Sequence, residues 1–273
     1  MISPSPTSLL YHKVTPRWEV GITWVIPGTF RRQMEEITAA GWQTILPDQI
    51  NGKSTLQQLS PHSHESGNQF MLFFDDGYEC IYRHAFPVLE EIGFKACVFI
   101  PSGYVGRQND WDHHLFGRRF RHLNKSMLKD LADAGWMIGS HCVTHCNLLA
   151  LNDDRLKHEI HVSRQTLQDL AGRDVRWISF PFGRYDQRCI DMVADAGYSG
   201  AITPVLRPVS FPDNFNLILV KPVYLWHGRK SIHQYLENGG SILDEKTCLL
   251  INGLNYGTVL WKSLLHRLKP LKT

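Results

Sequence analysis

Two carboxylates, Asp75 and Asp76, stand side by side after five uninterrupted apolar residues, 70–74, and just before Gly77. Such an apolar run suits a strand covered on both faces, and charge at its end is out of place for packing alone. Consecutive strand residues face opposite ways. A turning backbone at a strand terminus can nonetheless bring both side chains to one mouth, where one can bind a metal ion and the other can accept a proton. The competing reading is an Asp-Gly turn that closes a hairpin. Against it, Ile81, Ala85, Val88, Leu89 and Ile92 recur at helical spacing up to a stop at Gly93, so no returning strand follows.

His141 and His145 are four residues apart, a spacing that lets two imidazoles meet one ion from a helical turn or a compact loop. Among 14 histidines chance pairs such as His158 and His161 also arise, so spacing alone decides little. No glutamate follows His141, which excludes the His-Glu-x-x-His protease pattern. Two histidines and one carboxylate leave positions open on zinc for water and a substrate oxygen, as hydrolysis requires. Asp76 is the natural third ligand, and Asp75 is then free to take a proton from the water. Cys142 and Cys146, interleaved with the histidines, offer the alternative of a closed structural site. His12 ends the first apolar stretch and, taken alone, reads as a structural histidine.

The elements that must hold these residues alternate. The pattern predicts strands over 7–14, 42–46, 70–74, 95–100, 136–139, 175–180, 198–203 and 217–225, the last interrupted by Pro222, which suggests an edge or a bend. Helices are predicted between them: one capped by Thr29 and ended by Gly41, one over 78–93, one capped by Ser126, one from Asn152 to a stop at Gly172, and one over 186–196. Residues 15–28 and 51–68 read as loops. A further long loop holds Trp111 and the basic cluster Arg118, Arg119 and Arg121, and is of the kind that binds something or moves.

Strand-helix alternation over this span means an α/β fold with parallel strands and outer helices, and favours a barrel over an open sheet. The polar signals His12, Asp75, Asp76, Ser102, His141 and Pro181 all fall where strands end, the face on which such barrels carry their chemistry. Residues 1–230 are expected to form the barrel and 231–273 a helical extension packed on it. Within that extension residues 256–268 form an amphipathic pattern, for which docking on the barrel is preferred over peripheral membrane contact.

Composition excludes several classes. The 273 residues can bury a full core, and 43% hydrophobic content is incompatible with a wholly disordered chain. A formal charge of +3 from 29 basic and 26 acidic residues is too balanced to imply a nucleic-acid partner. Residues 1–10 lack a basic start followed by an apolar core, so no signal peptide or transmembrane segment is predicted and a cytoplasmic location is the expectation. Six cysteines without a Cys-x-x-Cys pair do not make a disulfide scaffold.

Three segments taken together resemble a family. Phe73-Phe74-Asp75-Asp76-Gly77, Ser140-His141-Cys142-Val143-Thr144-His145 and Phe180-Pro181-Phe182-Gly183 look like the first three motifs of the polysaccharide deacetylases, the NodB homology domain of carbohydrate esterase family 4. The resemblance covers about residues 8–225 and implies a distorted (β/α)7–8 barrel and metal-dependent removal of N-acetyl groups from amino sugars. It makes Asp75 the general base, Asp76, His141 and His145 the metal ligands, and the backbone N–H of Phe182 an oxyanion donor. The stretch Leu9-Leu10-Tyr11-His12-Lys13-Val14 resembles the N-terminal motif of the circularly permuted branch, which includes poly-N-acetylglucosamine deacetylases. In that branch the general acid comes from the first strand, which assigns the role to His12. His227 and His266 are poor candidates for it.

Zinc is the implied cofactor, with iron, cobalt or nickel also suiting the donors. The implied substrate is an N-acetylated sugar, an oligosaccharide or a lipid-linked glycan. The chain departs from the pattern at three points. Ser179 stands where many relatives carry an arginine, so either another basic group orients Asp75 or its pKa is less controlled. Cys142 replaces a usual threonine or serine, and the Asp-x-x-Asp-Trp motif is absent, leaving Trp226 and Trp111 as candidates for the acetyl-pocket wall. The competing functions are a non-catalytic glycan-binding or structural zinc protein and a hydrolase of another linear or cyclic amide.

Overall fold

A computed structural model describes residues 8–19, 21–49, 68–110, 119–228, 232, 235 and 236. Its strands are β1 (Ser8–Tyr11), β2 (Lys13–Val14), β3 (Trp24–Val25), β4 (Trp42–Thr44), β5 (Asn68–Phe74), β6 (Cys97–Ile100), β7 (Met137–Ser140), β8 (Trp177–Ser179), β9 (Gly200–Thr203), β10 (Asn216–Leu219) and β11 (Lys221–Pro222). The α-helices are α1 (Pro27–Ala39), α2 (Glu79–His84), α3 (Phe86–Ile92), α4 (Lys125–Asp133), α5 (Asp153–Lys157), α6 (Ser163–Ala171) and α7 (Gln187–Asp195), with a π-helical turn at His158–Val162 between α5 and α6.

The main sheet runs β10-β9-β8-β7-β6-β5-β1-β11 with every pair parallel, and β4 lies against the start of β5. Its two end strands are neighbours in the chain. Between them the Val220 N–H donates to the Thr203 carbonyl on the β9 side, and the Val223 N–H donates to the Leu10 carbonyl on the β1 side. The last segment therefore leaves one edge of the sheet and joins the other, nearly closing a barrel. Pro222, whose missing N–H suggested an edge or a bend, sits at this changeover.

The two-residue period of the strands sorts their apolar residues between two cores. Leu10, Met71, Phe73, Cys97, Phe99 and Trp177 fill the barrel, whereas Leu9, Tyr11, Leu72, Phe74, Val98 and Ile100 pack outward in the larger core shared with the helices. Gly139 belongs to this packing: a Cβ there would lie 2.4 Å from the Phe99 ring. Gly139→Ala is accordingly expected to overpack the barrel and destabilise the chain by about 1–3 kcal/mol in urea unfolding. An unchanged midpoint would mean that the ring moves aside freely.

Several local signals resolve differently from their sequence reading. Helix α1 starts with Pro27 at its first position after Ile26, which provides no side-chain cap, so Thr29 lies within the first turn. Helix α4 is capped by Asn124, whose Oδ1 accepts from the Met127 N–H at 3.0 Å, and Ser126 bonds to that same oxygen. The segment 78–93 breaks into α2 and α3 at Ala85, because Pro87 has no N–H and its ring crowds the preceding turn. Residues 15–28 contain β3, which pairs with β2. Asn152 and Gly172 bound their helix as read, but the π-turn inside it left no mark in the periodicity.

Of the segment 231–273, Ile232 and Leu236 are buried in the outer core, and Lys221 Nζ lies 3.8 Å above the Tyr235 ring. The amphipathic stretch 256–268, His266, the loop 51–67 and residues 111–118 with Trp111 and Arg118 lie outside the described residues. Among the described residues no helix is long and apolar enough to cross a membrane.

Candidate metal centre

Continuing the inward phase of each strand by two residues explains what lines the barrel mouth. Leu10 is followed in phase by His12, Phe73 by Asp75, Gly139 by His141, and Trp177 by Ser179. Every one of these polar groups thus sits on top of the barrel interior at a carboxyl-terminal strand end. Asp76 is out of phase, and a left-handed backbone (φ 66°) turns it back to the mouth. His122 holds that turn by donating its Nδ1–H to the Asp76 carbonyl at 2.7 Å, and its ring stacks on Tyr78.

Asp76 Oδ1 lies 3.2 Å from His145 Nε2 and 3.6 Å from His141 Nε2. Donors about 2.0–2.1 Å from a tetrahedral ion lie about 3.3 Å from each other, so these spacings suit a shared cation. All three residues are buried, and Asp76 Oδ1 makes no hydrogen bond although it is closed off from solvent. His141 donates its Nδ1–H to the Ser179 carbonyl at 2.7 Å, which leaves the Nε2 lone pair facing the cluster. An acidic oxygen without a donor, flanked by two imidazole nitrogens, is the chemistry of a metal site. Asp76, His141 and His145 are the one group of three or more such donors that converges among the described residues.

Of the five non-glycine residues with left-handed φ among those described, four lie here: Asp76, Cys142, His145 and Phe182. Such residues store strain that the surroundings must hold, and they concentrate at functional sites. The Phe182 ring stands edge-on to His145, with centroids 4.7 Å apart.

The two aspartates are driven in opposite directions. Burial raises the Asp75 carboxyl above the ordinary carboxylate range, opposed by His141, His12 and a hydrogen bond from Ser179. Burial also works to raise Asp76, but the adjacent His145, and then His12 and His141, hold it well below that range. Asp76 is thereby suited to stay ionised as a ligand and Asp75 to exchange a proton. Nδ1 of His12 is enclosed and without a hydrogen-bond partner.

The sequence departures now have a physical account. Ser179 itself contacts Asp75, its Oγ donating to Asp75 Oδ2 at 2.9 Å, so the side chain at this position supplies a neutral hydrogen bond in place of a charge. Cys142 and Cys146 are free, buried thiols whose pKa burial pushes up, with Glu159 adding to the effect, and neither sulfur is among the donors that converge with His141 and His145. Trp226 is half exposed and stacks on Tyr224. His227 accepts the Tyr224 N–H with Nδ1 and serves a turn. Arg119 and Arg121 are exposed.

Sequence reasoning missed His122, Glu159 and Ser163. The last two tie down the loop between the histidines, and their only sequence mark is a pair of polar residues, four apart, beside the apolar face formed by Leu156, Ile160 and Leu167.

The structure is thus a parallel α/β barrel with an Asp-His-His cluster at its carboxyl-terminal mouth that could hold a metal ion. The chain belongs to the polysaccharide deacetylase family, whose model matches residues 62–201, just over half its length. Over 196 residues, 71% of this chain and 63% of the relative, it is 26% identical to YxkH of Bacillus subtilis strain 168, whose name assigns it to the polysaccharide deacetylases only provisionally. It is 25% identical over 133 residues to the poly-beta-1,6-N-acetyl-D-glucosamine N-deacetylase of Staphylococcus aureus strain MRSA252, covering 45% of this chain and 43% of that one. The chain thus spans less than two thirds of either relative.

Among solved structures, Streptococcus pyogenes deacetylase PplD in complex with acetate superposes with a TM-score of 0.69 at 18% identity, covering 86% of this chain and 99% of PplD. IcaB from Ammonifex degensii superposes at 0.65 with 19% identity, covering 88% and 98%. At these identities the likeness establishes the shared fold.

Proposed function

We propose that the chain is a metal-dependent deacetylase that hydrolyses the N-acetyl amide of an amino sugar in a glycan or glycan precursor. The observation that carries this reading is a second buried carboxylate, Asp75, beside the three-donor cluster, with its proton affinity shifted opposite to that of Asp76. Relatives named for deacetylation of poly-N-acetylglucosamine support a sugar amide as the substrate class.

Asp76, His141 and His145 would hold the ion, with zinc the preferred metal. When bound, a divalent cation supplies electrophilic chemistry, polarising an acyl oxygen and acidifying water. The remaining work falls to the chain. Asp75, oriented by the Ser179 hydroxyl, takes the proton of the attacking water. The Phe182 N–H, presented by a left-handed backbone, donates to the developing oxyanion. His12 gives a proton to the amine nitrogen as the C–N bond breaks, so that acetate and a free amino sugar leave.

The reading is tested by acetate release from N-acetylated chito-oligosaccharides and from poly-β-1,6-N-acetylglucosamine. Turnover should stop with a strong chelator and return with zinc. Tight glycan binding without turnover by zinc-loaded protein would favour a binding protein instead. Ser179→Ala should lower kcat about tenfold with metal content unchanged, since it removes one hydrogen bond to a charged group, worth about 1.5–3 kcal/mol at most. A wild-type kcat would show that Asp75 needs no help from Ser179.

A further inference from the structure

We propose that Glu159 is a positioning residue for the metal centre, gripping the loop between His141 and His145 from behind so that both imidazoles converge on Asp76. The inference rests on the reading of those three residues as ligands. Glu159 is buried at 6% exposure within the π-turn. Its Oε2 accepts the Val143 N–H at 2.8 Å and the Thr144 N–H at 2.9 Å, and its Oε1 accepts the Thr144 hydroxyl at 2.6 Å. All three donors lie between the two histidines in sequence.

One turn on, Ser163 Oγ donates to the Cys142 carbonyl and lies 2.8 Å from Ser140 Oγ. One helix face therefore holds residues 140–144 at five points. The extra residue of a π-turn is unfavourable by itself, and such turns concentrate at functional sites. Here it lets Glu159 face the loop while Leu156, Ile160 and Leu167 stay in the core.

The loop needs such a grip. Cys142 (φ 64°) and His145 (φ 53°) are left-handed without being glycine, conformations that persist only where the surroundings fix them. His145 approaches Asp76 from inside this strained loop. Without the carboxylate, two partly buried N–H groups lose their acceptor and the backbone is free to relax, which moves one imidazole relative to the other.

The test compares wild type, Glu159→Ala, Glu159→Gln and Thr144→Val, with His141→Ala as a control. Zinc affinity is measured by competition with a chromogenic chelator, the visible spectrum is taken on cobalt-loaded protein, and thermal unfolding is followed on metal-free protein. Glu159→Ala should weaken zinc binding about 10- to 100-fold, the range typical of lost outer partners of a metal site, and shift the cobalt bands. Glu159→Gln, whose amide oxygen can still accept the N–H bonds, and Thr144→Val should show smaller changes in the same direction.

If Glu159→Ala does not fold, the other two variants carry the test through the same readouts. Wild-type zinc affinity and unaltered cobalt spectra, even with lower metal-free stability, would reduce Glu159 to a residue that holds the fold and overturn the proposal. Equal zinc binding by His141→Ala and wild type would instead refute the ligand assignment itself, separately from Glu159.

Discussion

Asp75→Asn is expected to remove nearly all turnover while the protein keeps its metal. The substitution preserves shape and one hydrogen-bond acceptor for Ser179 but cannot take up a proton, and loss of a general base typically costs about 10²- to 10⁴-fold. Asp75 is not one of the three converging donors, so metal content should stay at the wild-type level. The pH profile gives an independent check. Wild-type activity requires Asp75 ionised, so it should rise with pH through a value above the ordinary carboxylate range, where burial holds that group. The asparagine variant should lack this acid limb. Normal turnover with the limb intact would remove Asp75 from the reaction.

Asp76→Ala should act by a different route. It deletes the oxygen that lies 3.2 Å and 3.6 Å from the two imidazole nitrogens, leaving a two-nitrogen site of low affinity. The ion contributes several kcal/mol of transition-state stabilisation. At about 1.4 kcal/mol per tenfold, its loss means a fall of about 10³-fold or more in kcat/KM. Purified variant protein should contain little metal by elemental analysis, and excess zinc should restore little activity. Full metal occupancy with normal turnover would show that the cation is held elsewhere.

What the sequence made legible follows from strand geometry. The run from Phe70 to Phe74 has no polar residue on either phase, so burial on both faces could be read from it, and the structure divides it between the barrel core and the outer core. Asp75 and His12 were legible because each is the first polar residue after such a stretch, and His141 and His145 because their mutual spacing suits one ion. The closing of the barrel was less visible. It depends on one segment changing partners at Val220 and so bridging β9 and β1, which no local pattern encodes. That Ser179 reaches Asp75 was not visible, because comparison by residue type looks for a charge, whereas here a hydroxyl on the inward phase of β8 makes the contact. His122 and Glu159 act on the backbone of distant turns, so neither spacing nor charge marks them.

The central claim is that one ion sits between Asp76, His141 and His145. Anomalous diffraction at the zinc absorption edge, from crystals of the zinc-loaded chain, tests it most directly. The expected result is a single strong peak about 2.0–2.2 Å from Asp76 Oδ1, His141 Nε2 and His145 Nε2, with a position left for solvent. A peak coordinated by the Cys142 and Cys146 sulfurs, or no peak in the barrel mouth, would contradict the account.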